Sequence, residues 1–239
     1  MFDGRDKHMS FQLFKKPMPK ERKTLFKELS FSEKISYIFE YYKFHILTII
    51  ISALIIGSFV YFYIQNDYDS VCYIAVVDGK ITGYDDRTDA ITQGFTQHLG
   101  IDGKKQRAEI DYNYSLIVQP MDQEAEISRS KLYILSSTGS IDGFMANPEY
   151  ITYFSTDIEP YFMDLTTILS QQELSEIGEE NIVYYTKKDG TNIPVAVNLQ
   201  HTKIKSETNF TMDNPCYGVV VSAKNPENAT EFIRYAFSL

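Results

Sequence analysis

The sequence predicts an α/β protein: an N-terminal transmembrane helix followed by one three-layer domain with a mainly parallel β-sheet. Two observations predict this fold class. Residues 44–64 form a run of twenty-one residues without a formal charge, and beyond it short β-rich segments alternate with segments of helical period. Because parallel neighbouring strands need a crossover connection between them, this alternation indicates βαβ units.

The uncharged run, Phe44 to Ile64, has the length and composition of a membrane span. As a helix it measures about 31 Å, which is enough to cross the hydrocarbon core of a bilayer. A buried core helix seldom stays apolar on every face, and a cleaved signal peptide needs a shorter apolar run with a small-x-small site. Forty-three residues precede this run and no such site follows it, so we expect an uncleaved signal anchor. Tyrosines flank both ends, as at membrane interfaces: Tyr41, Tyr42, Tyr61 and Tyr63.

Charge is distributed unevenly about the span. Residues 1–43 carry ten Lys/Arg and six Asp/Glu, whereas residues 65–239 carry thirteen and twenty-six. Because basic flanks stay in the cytoplasm, we expect a single-pass protein of the cell membrane with a cytoplasmic N-terminus and an extracellular C-terminal domain. An acidic domain also argues against a nucleic-acid partner. The expected organisation is a disordered basic tail at 1–29, a juxtamembrane plus transmembrane helix at 30–64 and an extracellular α/β domain at 65–239.

The helix is expected to begin before the membrane. Ser30 and Glu33 have the spacing of a capping box, and apolar residues then recur at helical period from Ile35 onward. No proline interrupts the segment, and a single glycine is tolerated in a membrane helix. The sequence therefore predicts one nearly continuous helix from about Glu33 to Ile64.

The first half of the outer domain is expected to hold three strands, at 71–77, 112–118 and 141–146, with a helix between each pair. The first strand is nearly continuously apolar, as in strands covered on both faces. We expect the first helix to be capped within Asp85 to Thr88, and the second to run from Glu124 to Ser136 and end at Gly139. The apolar residues expected to be buried are Ile91, Phe95 and Leu99 on the first helix, and Ile127, Leu132 and Leu135 on the second.

The second half of the domain carries several local signals. An asparagine cap followed by proline predicts a helix after Asn147, and a second capping box predicts a short helix that ends at Gly178. A hairpin turn is indicated at Asp189-Gly190. The remaining signals are the capping-box pair Ser170 and Glu173, a strand at 216–222, and a C-terminal helix after Asn225-Pro226 that is expected to pack on the sheet through Ala229, Phe232, Ile233 and Ala236.

Four segments follow one another in an order that suggests a family. They are KLYILSSTGSIDGFMANPEYITYF, YFMDLTTIL, IPVAVNL and CYGVVVSAKNPENATEFIRYAF. Their order is similar to that in bacterial extracellular solute-binding proteins of ABC importers, with Ile141–Phe144 at a strand of the Asp-Val type, Phe162–Thr166 at an "F-x-DLT" segment and Asn225–Phe232 at an "NPE" helix. The resemblance implies a periplasmic-binding-protein-like fold. Because 175 residues supply only one of that family's two lobes, the chain looks like a one-lobed, membrane-anchored relative.

Candidate ligand-binding residues follow from the strands. In parallel α/β sheets, ligands lie beyond the carboxyl ends of the strands, where Asp78, Gln119 and Asn147 are expected. Asn147 also has a simpler role as a helix cap, and Asp78 as a turn residue. No catalytic motif and no histidine spacing typical of metal ligands occurs, so we expect no metal, no cofactor and no enzymatic activity. The histidines are His8, His45, His98 and His201.

The leading functional hypothesis is a single-pass, membrane-anchored extracellular binding module that resembles a solute-binding-protein lobe. The alternative is a non-enzymatic structural or regulatory subunit of a membrane complex that uses the lobe as a protein-interaction surface. The expected partners are the lipid bilayer, a membrane transporter or envelope protein, and a small solute. Cys72 and Cys216 are the only cysteines; a disulfide is permitted outside the cell, but two separated buried thiols are the favoured interpretation.

Overall fold

The computed structural model describes residues 30–81, 89–116, 123–156 and 160–239. The chain divides into two compact units, of which the first ends at Asn66 and the second comprises Asp67–Leu239. The first unit is a long helix within its described part, and the second is the α/β domain.

The long helix, α1, spans Phe31–Gln65 without a break. Its segment Tyr42–Gln65 has 24 residues, a mean hydropathy of 2.3 and no buried side chain, and within the described ranges it is the one helix long and apolar enough to cross a membrane. The hydroxyl of Thr48 donates to the carbonyl of Phe44 at 2.8 Å, so this polar side chain is satisfied by its own helix. The prediction of one continuous helix from Glu33 to Ile64 is confirmed.

The domain is built on a sheet of six strands in the order β2-β1-β3-β6-β5-β4. The strand β1 pairs in parallel with both β2 and β3, as the βαβ pattern predicts. Their bounds are Asp69–Val77 for β1, Gln106–Tyr114 for β2, Gly143–Ala146 for β3, Ile182–Thr186 for β4, Asn192–Asn198 for β5 and Cys216–Val219 for β6.

The sheet is mixed, so the expectation of a mainly parallel sheet is wrong for its C-terminal half. The strand β6 runs antiparallel to β3 and to β5, and β4 runs antiparallel to β5. For β4 and β5 the physical reason is their connection: the predicted hairpin, with Gly190 at φ 88°, joins them through five residues, and so short a loop can join only antiparallel neighbours. The direction of β6 depends instead on which strands become its neighbours.

Helices and short 3-10 turns connect the strands. Asp89 caps α2 by accepting from the backbone N–H of Thr92 at 2.8 Å, and the capping box at Ser170 and Glu173 is formed. The helices are α2 (Ala90–His98), α3 (Gln123–Ser137), α4 (Pro148–Phe154), α5 (Gln171–Ile177), α6 (Lys203–Ser206) and α7 (Pro226–Phe237), with 3-10 turns at Leu165–Thr167 and Glu179–Asn181.

Several predicted details differ from the structure. The cap expected within Asp85 to Thr88 lies outside the described residues, and the observed cap is Asp89. The strand expected at 112–118 begins at Gln106 and ends at Tyr114; its start was missed because charged residues alternate with the buried ones there. Ile127 was expected to be buried but is 60% exposed, since it lies on the outer side of α3.

Two hydrophobic clusters occupy the domain, and alternate residues of the strands contribute to each. In β1, Ile74 and Val76 belong to one cluster and Ala75 and Val77 to the other. This alternation explains why the strand is apolar almost throughout. The first cluster includes residues of α2 and α7, where the ring of Phe232 lies 5.1 Å from Phe95 and 4.7 Å from Tyr217.

The second cluster includes residues of α3 and α4 and is centred on Phe144 of β3. The Phe144 ring makes edge contacts with Phe154 at 5.1 Å, Tyr161 at 5.5 Å and Phe162 at 5.8 Å. The two cysteines are free and buried, and Cys72 belongs to the first cluster whereas Cys216 belongs to the second.

A buried carboxylate joins the strands to the C-terminal helix. Asp142, only 3% exposed, precedes β3 and accepts from the backbone N–H of Tyr73 at 2.9 Å and from the backbone N–H of Asn225 at 2.7 Å. Its own backbone donates to the carbonyl of Tyr73 and accepts from the N–H of Val220, both at 2.9 Å. A single residue therefore aligns β1, β3, the end of β6 and the start of α7.

An ion pair joins α5 to α7. The carboxylate of Glu173 accepts from Arg234 Nε at 2.6 Å. This hydrogen bond and that from the Ser170 backbone N–H lower the pKa of Glu173 to about 2 from its usual value of 4.5. The same carboxylate thus closes the capping box of α5 and holds the C-terminal helix.

We expect Asp142→Ala to destabilise the domain by about 3–5 kcal/mol, because two half-buried N–H donors lose the buried, charged acceptor that they share. Asp142→Asn keeps one acceptor oxygen and should cost less. The matched control, Asp213→Ala at an exposed turn, should change stability by under about 0.5 kcal/mol. The measurement is the urea dependence of thiol labelling of the full chain in detergent, since Cys72 and Cys216 are both buried. Equal midpoints for the Asp142→Ala and Asp213→Ala variants would contradict the assignment.

The Glu173 ion pair predicts a pH-dependent stability. A carboxylate whose folded pKa lies below its unfolded value stabilises the fold above the unfolded pKa, and this contribution is lost as pH falls toward the folded pKa. The stability difference between the wild-type chain and Glu173→Gln should therefore shrink between pH 4.5 and about 2. The matched control is Glu176→Gln, at an exposed position of the same helix, measured at the same pH values. Urea midpoints measured across this range decide between a shrinking and a constant difference.

Candidate functional site

Two of the three predicted ligand-binding residues lie at the same rim of the sheet. Asp78 directly follows β1 and Asn147 directly follows β3, and these strands are parallel neighbours. Their carboxyl ends therefore meet, as the sequence predicts. Gln119, the third residue, lies outside the described residues.

Asp78 fastens the end of β2 to the end of β1. Its backbone N–H donates to the carbonyl of Tyr114 at 2.9 Å, and its two carboxylate oxygens accept from the backbone N–H of Leu116 at 3.2 and 3.3 Å. Its φ of 56° places it in the left-handed region, which few residues other than glycine, asparagine and aspartate adopt readily. Both the backbone and the side chain of Asp78 are thus used to turn the chain at the rim.

Asn147 caps α4, which was its alternative role. Its side-chain oxygen accepts from the backbone N–H of Tyr150 at 3.1 Å, and proline follows at the first helical position. The amide oxygen is therefore directed at its own helix.

Tyr150 connects the two predicted residues. Its hydroxyl lies within the electrostatic influence of the Asp78 carboxylate, and its backbone N–H donates to Asn147 at 3.1 Å. Burial, followed by the negative charge of Asp78, raises the pKa of Tyr150 to about 12, so the hydroxyl keeps its proton at neutral pH. The sequence analysis predicts only that a helix follows Asn147, but the position of Tyr150, three residues after this cap, is the signal that places it at the rim.

A second polar cluster lies where α3 contacts β1 and β2. The Tyr73 hydroxyl lies 2.6 Å from Asp111 Oδ2 and 2.8 Å from the Tyr114 hydroxyl, and Lys131 Nζ lies 3.0 Å from the same Asp111 oxygen. Burial alone would raise the pKa of Asp111, but hydrogen bonds from Tyr73, Asn113 and Lys131 together lower it. Burial and the neighbouring Asp111 raise the pKa of Tyr73.

This tyrosine cluster fastens α3 to the sheet. Lys131 also lies 4.5 Å above the ring of Tyr114, which adds a cation–π contact to the ion pair with Asp111. Each of the four polar groups already has a partner inside the cluster, so the cluster explains how α3 is held and why the other side of α3 faces outward.

A cleft lies away from the predicted rim, beside the edge strand β4. It has a volume of about 400 Å³ and combines an aromatic side chain, several hydroxyl and amide groups and one carboxylate. Burial and the neighbouring Glu179 raise the pKa of the Tyr184 hydroxyl. Sequence reasoning missed this cleft because its walls come from α5, a 3-10 turn and the β4–β5 hairpin. The lining residues are Thr166, Gln171, Leu174, Ser175, Glu179, Ile182, Tyr184 and Pro194.

Comparisons with family models, with curated proteins and with solved structures find no match for this chain.

The left-handed backbone at Asp78 predicts an unusual order of stability. Asp78→Gly and Asp78→Ala both remove the acceptor for Leu116, but alanine is also strained at φ 56°. The glycine variant should therefore be more stable than the alanine variant by about 1 kcal/mol. At Asp213, whose φ is not positive, the same pair should show alanine at least as stable as glycine. Urea midpoints of the four variants test this, and an alanine variant as stable as the glycine variant at position 78 would contradict it.

Proposed function

We propose that this protein is a single-pass membrane protein whose α/β domain lies outside the cell and serves as a non-enzymatic interaction module of a membrane complex. The observation that carries the proposal is the outer face of α3. Three large apolar side chains are exposed there: Ile127 at 60%, Tyr133 at 77% and Ile134 at 59%. A cluster of exposed apolar residues on a folded domain is typical of a protein-interaction surface.

Two of these three residues share one side of the helix, whereas Tyr133, one position before Ile134, is rotated from it by about 100°. Ile127 and Ile134 are seven residues apart, which places them two turns apart on the same side of a helix. On the inner side of α3, Ala125 and Leu132 are each only 2% exposed. The helix is thus apolar on two opposite sides, and only the inner side is needed for the domain's own core.

The membrane anchor and the charge distribution support the proposed location. The helix α1 contains a 24-residue segment suited to a bilayer, and the basic residues concentrate before it. By the positive-inside rule, the domain at 65–239 is then outside the cell. A partner that shares this membrane meets the domain in two dimensions, which raises the effective concentration of both.

A second candidate function is the binding of a small solute at the rim, and a specific observation favours it. Asp78, Tyr150 and Asn147 converge at the carboxyl ends of β1 and β3, where ligands of parallel α/β sheets lie. The two hydrophobic clusters, each including residues of helices, support a three-layer arrangement like one lobe of the solute-binding proteins that the sequence resembles. Because Asp78 and Asn147 already bind backbone N–H groups, the rim is the second choice.

Photo-crosslinking in intact cells tests the interaction function. A photoreactive amino acid in place of Ile134 should crosslink the full chain to a discrete membrane or envelope protein, and the same amino acid in place of Gln97, exposed on α2, should not. Adding Ile127→Ser should reduce the crosslink from position 134 by about fivefold or more, since this side chain contributes to the apolar contact. Surface changes of this kind leave stability within about 0.5 kcal/mol, so loss of folding does not explain the reduction.

Two outcomes would contradict the proposal. One is a crosslink of equal yield from positions 134 and 97. The other is no crosslink from position 134 together with a melting temperature of the full chain that rises with the concentration of a sugar, an amino acid, a peptide or an anion, because a ligand that binds only the folded state raises it. A rise that Gln119→Ala or Tyr150→Phe abolishes would replace the interaction module with solute binding at the rim.

A further inference from the structure

The cleft beside β4 has an apolar floor. Leu174 and Ile182, both half-buried, pack against the first hydrophobic cluster, and Pro194 is buried. The cleft volume of about 400 Å³ lies within the range of small-molecule sites, which is about 300–1,000 Å³. The cleft is therefore large enough and apolar enough at its base to cover a short hydrocarbon chain.

Two regular elements supply most of the walls. Gln171, Leu174 and Ser175 of α5 are three and four residues apart, which places them on one side of the helix. Ile182 and Tyr184 are two residues apart in β4, and so they share one face of the strand. Each wall thus presents an apolar side chain together with a group that can form hydrogen bonds.

The lining carries one charge, and this charge is negative. Glu179 is the one charged side chain among the described residues that line the cleft, and it is exposed. Within the described part of the domain, no ion pair joins Glu179 to a basic residue. An anionic ligand would meet this carboxylate as a like charge, whereas a cationic ligand would be attracted by it.

The polar groups of the lining suit an ammonium group. An ammonium donates three hydrogen bonds and accepts none. The lining offers three kinds of acceptor, which are the carboxylate of Glu179, the amide oxygen of Gln171 and the hydroxyl of Ser175. The ring of Tyr184, whose hydroxyl neighbours Glu179, can add a cation–π contact. A neutral hydroxyl on the ligand would gain neither the ion pair nor the contact with the ring.

We propose that the cleft binds an alkylammonium group, with its hydrocarbon chain on the floor of Leu174, Ile182 and Pro194 and its ammonium beside Glu179 and Tyr184. Two sources carry this group, a free aliphatic amine and a lysine side chain of a peptide. The lining shares no residue with the outer face of α3, so the inference does not depend on the interaction proposed there. Because the carboxylate is exposed, water and salt weaken the ion pair, and binding is weak and salt-sensitive.

Melting of the full chain in an uncharged detergent tests the ligand class. Pentylamine, a cation at neutral pH, should raise the melting temperature with concentration, whereas pentanol, an uncharged analogue of the same length, should not. Acetyl-lysine amide and acetyl-norleucine amide are the second matched pair, in which the lysine derivative should bind. If the lysine derivative binds at least about tenfold more tightly than pentylamine, its peptide groups add contacts and the source is a peptide. Otherwise the source is a free amine.

Substitutions in the lining test the position of the ligand. Glu179→Gln should weaken the binding of pentylamine by about fivefold, the upper range for an exposed ion pair. Glu176→Gln makes the same charge change at an exposed position of α5 outside the lining and should leave binding nearly unchanged. Tyr184→Phe keeps the ring and should bind nearly as well, whereas Tyr184→Leu should bind about threefold more weakly. Protection of the buried Cys72 and Cys216 from a thiol reagent verifies folding of each variant.

The proposal is overturned if pentylamine and pentanol raise the melting temperature equally, or if neither amine raises it. It is also overturned if Glu179→Gln and Glu176→Gln weaken binding to the same extent, because the charge would then act at long range and not in the cleft. Selective binding of an amine that Glu179→Gln weakens and Glu176→Gln does not supports it. None of these measurements involves the outer face of α3, so a negative result leaves the proposed interaction function standing.

Discussion

The buried carboxylate of Asp142 is the point on which the alignment of the domain depends. It binds the backbone N–H groups of Tyr73 in β1 and Asn225 before α7, while its own backbone bonds to Tyr73 and Val220. A carboxylate that is 3% exposed is stable only where donors surround it. The chain therefore has to bring β1, β3, β6 and α7 together around this one group. The bond to Asn225 positions the start of the C-terminal helix, on which the Phe232 ring lies 4.7 Å from that of Tyr217.

Features that depend on neighbouring residues in the chain could be predicted from the sequence. The cap at Asn147, the capping box at Ser170 and Glu173, and the turn at Asp189-Gly190 each need only a few consecutive residues. The direction of β6 could not be predicted, because it depends on which strands become its neighbours, and that is settled by contacts far apart in sequence. The burial of α3 was predicted only in part: Leu132 faces the sheet, whereas Ile127 lies outside because Lys131 and Asp111 fix the rotation of the helix.

The difference between local and long-range features also explains how much of the candidate site could be predicted from the sequence. Asp78 and Asn147 share a rim because they follow two parallel strands. Each strand can be recognised from its own residues, and the carboxyl ends of parallel strands lie at the same edge of a sheet. That each is already bound to a backbone N–H, and that Tyr150 connects them, depends on distances across the fold. A polar residue at a strand end thus indicates where a site could lie. Whether it can bind a ligand depends on whether its oxygens already accept hydrogen bonds from its own loop.

The surfaces that the domain does not use for its own contacts are therefore not its polar clusters. At the rim and in the tyrosine cluster, polar groups satisfy each other, so the domain holds its shape with few unpaired donors there. The outer face of α3 and the edge of β4 are different: Ile127, Tyr133 and Ile134 are exposed on the first, and the second is a strand without a charged residue. The opposite edge shows that this sheet can protect itself with charge, since Arg107, Glu109 and Asp111 follow one another along β2. The edge strand β4, IVYYT, has no such charges, so the two ends of the sheet differ in how strongly they oppose pairing with a further strand.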